Sequence, residues 1–332
     1  MNVRQVIPKD AIPSVDDPEF VADHPHPDDE VVGVELGGEV TAYPIRYLNY
    51  HEIVNDTVGG VPVAATWCPL CGSTVVYDRR PAEGDLGSHD DPGTLEFGVS
   101  GKLADDDLVM YDRETGSEWK QSLGEAIAGP LEGARLCVLP ATTTTWSIFS
   151  ETHPEATVMA EPGGKSEASG TGSEPAAIDY EDDPYRDYFE AEGFGLGAHR
   201  GEGPGREWDR EDLTAKETVL GLELGDDALG FPRSRVEDAG GVVTATVGDE
   251  AVVVFAADDG LHAYRDPGYE WRSTRGGFRA DGVMWDATTG APLDNPATHV
   301  AANRDPLERL PARTLFAFAW RDDHGDAFFL SG

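Results

Sequence analysis

Cysteines 68 and 71 stand in the run Cys68-Pro69-Leu70-Cys71-Gly72. Two thiolates at this spacing can chelate one metal ion, and the glycine lets the chain turn beneath the sulfurs. His51 is the third candidate ligand. If residues 51–58 and 61–68 form a hairpin on the turn Gly59-Gly60, His51 falls directly opposite Cys68. Opposed residues share one face with Cβ atoms about 4.5–5.5 Å apart, and a one-residue slip would send them to opposite faces. Two sulfurs and an imidazole suit Cu(I) in three-coordination, or Zn²⁺ with a fourth ligand, for which Glu52, Met110 and water are candidates. The expected cofactor is therefore one copper or zinc ion. Cys137, in Leu136-Cys137-Val138-Leu139, reads as core filling.

The same cysteines allow two other readings. One is a thiol–disulfide oxidoreductase. Against it, the motif runs into Ser73-Thr74-Val75-Val76-Tyr77, which reads as a strand. An activated dithiol normally opens a helix, whose N-terminus lowers the thiol pKa. The other is a protein-interaction module with a structural knuckle. Gly193-Phe194-Gly195-Leu196-Gly197 follows a polar segment rather than a strand, so no nucleotide cofactor is expected. Asp105-Asp106-Asp107 reads as a solvated acidic run rather than a calcium loop.

The elements that must position these residues are mostly strands. Residues 31–36 and 39–43 flank Gly37-Gly38, a hairpin signal, and residues 61–67 and 74–77 are rich in β-branched and aromatic side chains. Residues 108–112 and 117–121 form a further hairpin, residues 45–50 and 146–152 read as short helices, and Asp183 caps a helix over 183–192. An internal echo runs through the chain. Val32-Gly33-Val34-Glu35-Leu36-Gly37 returns as Leu220-Gly221-Leu222-Glu223-Leu224-Gly225, and Leu139-Pro140-Ala141 returns as Leu310-Pro311-Ala312. With the first offset held, His51, Cys68 and Cys71 meet Ala239, Ala256 and Asp259. The fold class expected is mainly β (β-rich α+β), two degenerate copies of one β-rich unit. Residues 1–160 form the first copy with the Cys/His site, 161–177 a flexible Gly/Ser/Glu/Pro-rich linker, and 178–332 the second copy. Residues 80–93 read as an exposed loop.

Composition narrows the function classes. The chain of 332 residues has 63 acidic and 25 basic side chains, a formal charge of −38. No basic face can form for phosphate contacts, which excludes nucleic-acid binding. Only Lys9, Lys102, Lys120, Lys165 and Lys216 are lysines. A carboxylate-rich, lysine-poor surface suits molar salt, where the Debye length is ~3 Å. No run approaches the ~18 apolar residues of a membrane span. The start Met1-Asn2-Val3-Arg4-Gln5 opens no apolar stretch, so a cytoplasmic location is expected. Composition assigns no partner.

Several blocks in order carry a family resemblance: Ala42-Tyr43-Pro44, His51-Glu52-Ile53-Val54-Asn55-Asp56, Trp67-Cys68-Pro69-Leu70-Cys71-Gly72, Met110-Tyr111-Asp112-Arg113 and Asp183-Pro184-Tyr185. The chain resembles the "domain of unknown function 3179" family, as a haloarchaeal-type member. The resemblance covers nearly all of residues 5–225 and is weaker in the C-terminal third. It implies no activity that could be carried over.

Overall fold

The computed structural model describes residues 1–81, 86, 90–170, 174–203, 205–274, 277–293 and 304–332. Strands β1 (Glu30–Leu36) and β2 (Glu39–Pro44) pair antiparallel across the Gly37-Gly38 turn and lead into helix α1 (Ile45–His51). Strands β3 (Ile53–Val58), β4 (Val61–Cys68) and β5 (Ser73–Asp78) follow as a meander. Then come β6 (Phe97–Ala104), β7 (Asp107–Asp112), β8 (Glu118–Lys120), β9 (Thr142–Thr145) and α2 (Trp146–Thr152). The strands of the C-terminal part include β10 (Thr218–Leu224), β11 (Asp227–Pro232), β12 (Val242–Val247), β13 (Glu250–Ala257), β14 (Gly260–Arg265) and β15 (Arg313–Phe316). Helix α3 (Arg233–Asp238) follows β11, and α4 (Ala317–His324) follows β15. The expected β-rich class is what the chain adopts.

The central sheet has six strands in the order β11-β10-β15-β5-β4-β3. It joins the two halves of the sequence, because β15 lies between β10 and β5. The largest core cluster likewise takes Ile12, Cys68 and Tyr77 from one half, and Leu315, Trp320 and Phe329 from the other. No described helix is long and apolar enough to cross a membrane.

Two expectations about connecting segments need correction. Residues 161–177 do not read as a free linker where they are described. They contain the strand Lys165–Ser166, the 3-10 turn Glu167–Ser169 and the strand Ala176–Ala177, and Ser166 is fully buried. The Glu167 amide donates to the Ala11 carbonyl at 2.8 Å, so local hydrogen bonds compensate for the weak apolar content. Residues 171–173 lie outside the described residues, as do 82–85 and 87–89 of the expected exposed loop. Leu86 in that loop is 3% exposed and packs into the main core.

Asp259, in the β13–β14 turn, ties the halves together. Its carboxylate accepts from Thr144 on β9 at 2.6 Å, from Thr288 at 3.0 Å and from His262 at 3.3 Å. Burial alone would raise its pKa, but these donors outweigh burial and hold it at about 2 against an ordinary 3.8. A depressed carboxylate stabilises the fold above its unfolded pKa and loses that contribution as pH falls through the folded one. The contribution is about 2 kcal/mol, at 1.36 kcal/mol per unit. Urea unfolding should therefore place Asp259→Asn about 2 kcal/mol below the parent at pH 6, and the two curves should converge toward pH 2. A pH-independent gap would show that the shape of the turn, not the charge, matters.

Candidate metal centre

Strand β4 ends at Cys68, and the Cys68–Ser73 pair closes the β4–β5 hairpin over a four-residue loop. The Cys71 amide returns to the Cys68 carbonyl at 3.2 Å, curling both sulfurs to one side. Gly72 has φ +53°, and a Cβ there would lie 2.8 Å from the Phe316 ring. Glycine is required for both the backbone and the space. The Phe316 amide donates to the Cys71 carbonyl at 2.7 Å, so β15 clamps the loop from the far half of the chain.

The third group comes from a different hairpin. Asp105 and Asp106 form the two-residue turn between β6 and β7, with φ +53° and +70°. Asp and Asn tolerate such positions better than most side chains. The turn delivers Asp107 beside the cysteines. The Cys68 and Cys71 sulfurs and an Asp107 carboxylate oxygen all lie within 4.8 Å of one another. Cys68 is 2% exposed, Cys71 0% and Asp107 1%. The Asp107 Oδ2 accepts from the Ser122 amide at 2.9 Å, while its Oδ1 is buried with no partner among the described residues. The Cys71 thiol donates to the Asp106 carbonyl at 3.5 Å.

Burial pushes both thiols above their ordinary range, Cys71 most strongly, and raises Asp107 as well. The nearby Lys120 offsets this only in part for Asp107. Lys120 is itself committed to an ion pair with Asp323. Three acidic groups thus sit together where none ionises cheaply, and a divalent cation is the species that would compensate them.

His51 is not in this cluster. The register expected for the Gly59-Gly60 hairpin holds from Ile53–Thr66 to Val58–Val61. Residue 51, however, is the last residue of α1, and Glu52 breaks the path with φ +58°. His51 turns instead to residues 13 and 180. Its Nδ1–H donates to the Pro13 carbonyl at 2.8 Å, so Nε2 accepts from the Tyr180 hydroxyl at 2.6 Å. Both nitrogens are occupied, and burial lowers the pKa, keeping the ring neutral. Glu52 is buried near Cys68 but outside the three-ligand group. Met110 lies three residues beyond Asp107 on β7, so its side chain takes the opposite face of that strand. Cys137 is exposed rather than core filling, because Leu136 and not Cys137 faces inward.

Asp107 was hidden by composition. In a chain with 63 carboxylates an Asp triplet reads as surface. The signal that marks it is the two-residue spacing of a tight hairpin between two strand-like runs, which buries the residue after the turn.

The family described as "Protein of unknown function (DUF3179)" matches residues 9–327. The chain belongs to this family. The match runs through the C-terminal third, where the resemblance read from the sequence was weak. No curated protein and no solved structure matches the chain. This DUF3179 member therefore takes its functional reading from its own geometry.

Proposed function

We propose that the chain is a metal-binding protein that holds one zinc-class divalent ion on Cys68, Cys71 and Asp107. The observation that carries the reading is the buried cluster itself: two sulfurs and a carboxylate oxygen within 4.8 Å of one another, with the Oδ1 of the buried Asp107 left unpartnered among the described residues. Zinc accepts thiolate and carboxylate together, whereas the oxygen ligand is a poor match for Cu(I). The oxidoreductase reading is less well supported. Both thiols are buried and pushed up in pKa, and the motif leads into β5 rather than a helix.

Elemental analysis of protein purified without chelator tests the proposal. One zinc per chain is expected. Cys68→Ser, Cys71→Ser and Asp107→Asn should each lose most of it, while His51→Ala and Cys137→Ser keep it. Metal-free protein whose two buried thiols oxidise reversibly to a disulfide would favour the oxidoreductase.

The proposal includes a duplicated unit. It is supported by matching pairings in the two halves. Gly33 pairs with Ala42 and Thr142 in one, and Gly221 with Gly230 and Arg313 in the other. Gly33 is backed by the Phe149 ring, and Gly221 by the Trp320 ring. Matched this way, Cys68 corresponds to Ala257 rather than Ala256, since each ends its strand opposite Ser73 or Gly260. The four-residue loop holding Cys71 then corresponds to Asp258-Asp259 alone. A unit without thiols supports a site that serves function, not folding. The acidic, lysine-poor composition supports a salt-rich working environment.

A further inference from the structure

We infer that the metal centre is open on its Cys68 side, and that the cavity there binds a small uncharged amide-like molecule between Glu52 and Tyr185. The inference rests on the metal reading above. Cys68 lines a cavity of about 100 Å³, and Cys71 and Asp107 are not among its lining residues. One water needs about 10–15 Å³ by this measure, so the cavity admits several waters or a small molecule. Closed structural zinc sites have no such space beside a ligand, while catalytic ones keep a position free.

Two buried polar groups face the cavity without partners. Glu52 is 8% exposed, and among the described residues nothing hydrogen-bonds or ion-pairs with its carboxylate. Its backbone is held at φ +58°, a conformation that disfavours any side chain. In the other half the matching residue is Gly241, whose carbonyl accepts from Ala256 as that of Glu52 accepts from Trp67. A glycine thus satisfies the fold at this place, so the strained glutamate serves something else. Tyr185 is 6% exposed, and among the described residues its hydroxyl has no hydrogen-bond partner. Its ring is fixed by stacking on His199, with centroids 4.9 Å apart.

The chemistry of the ligand follows from these groups. A tyrosine O–H donates, so it seeks a carbonyl. Glu52 offers a carboxyl oxygen that accepts from an N–H, and since burial raises its pKa to about 8 its protonated form also offers an O–H to a carbonyl. Of the charged groups on the wall, Lys102 is paired with Glu118 and burial disfavours the charged form of Glu52, which leaves Glu167 against Arg200 and favours neither an anion nor a cation. The rest of the lining is largely aliphatic. A neutral molecule with a carbonyl beside an N–H, such as a primary amide, satisfies all of this.

Acetamide titrated into the cobalt-loaded full chain tests the inference, read by cobalt ligand-field bands and by broadening of the acetamide methyl resonance. Saturable changes in both are expected, with the thiolate-to-cobalt band retained. Glu52→Gln and Tyr185→Phe should each weaken acetamide about tenfold without altering that band. An intact thiolate band with no response to acetamide would overturn the open cavity and leave the metal reading standing. No thiolate band at all would sink both. A metal-free measurement adds a second arm: Glu52→Gly should raise Tm by a few degrees, since it relieves the backbone and removes an unpaired buried carboxylate. A lower Tm would make Glu52 a structural residue and overturn the inference.

Discussion

Replacing Lys120 by methionine is expected to cost about 3–5 kcal/mol of stability, the largest single effect foreseen in this protein. The Lys120 side chain is 2% exposed and Asp323, its partner on α4, is 1% exposed. Asp323 also accepts from Ser122 at 2.6 Å. Burial works against the lysine charge, but Asp323 and Asp107 more than compensate and keep it protonated. Removing the cation strands an anion in a dry interior, next to a cluster of acidic groups that already ionise poorly. Removing both partners does not. Lys120→Met with Asp323→Leu should recover most of the loss, because a buried pair and an apolar pair of similar volume are often nearly equal in stability. Urea unfolding of the four proteins in a double-mutant cycle measures this. A single-mutant cost below about 1 kcal/mol would be that of a hydrated surface pair, contrary to the packing of β8 against α4.

The second large effect is the stabilisation conferred by the ion. Free zinc at a thousand times its dissociation constant should add about 4 kcal/mol, and Cys71→Ser should abolish the gain. The gain should also depend on pH in a definite direction. Cys68, Cys71 and Asp107 must shed their protons to ligate, and burial has raised all three. Protons therefore compete with the metal, and the increment shrinks as pH falls. Thermal unfolding with and without zinc at pH 8, 7 and 6 checks this. An increment that stays constant or grows toward pH 6 would exclude thiolate ligation.

The local part of the fold was legible in the sequence. Gly37-Gly38 and Gly59-Gly60 set hairpins whose registers follow from turn chemistry alone, and the C-x-x-C loop joins two strands as its flanks suggest. What local pattern could not supply was non-local. Asp107 reaches the cysteines through a second hairpin, and β15 through a strand from the opposite end of the chain. His51 was misplaced for a nearer reason: residues 45–50 already read as a helix, and that helix runs one residue further than the strand pairing required. The acid-rich composition then masked Asp107, the carboxylate that is buried beside the thiols. Cys137 shows the converse, an apolar run in which alternation, not hydrophobicity, decides which side chain faces in.

The clamp of Phe316 on the Cys71 carbonyl, with the Phe316 ring against Gly72, bears on the order of events during synthesis. A ribosome emits both cysteines long before it reaches Phe316. At ~5–20 residues per second, the interval is roughly 10–50 s. Throughout it the thiols belong to an unsealed nascent chain, open to metal donors and oxidants alike. The last strand then shuts the loop. Which of the two reaches the thiols first becomes a matter of timing in the cell rather than of affinity in the finished protein.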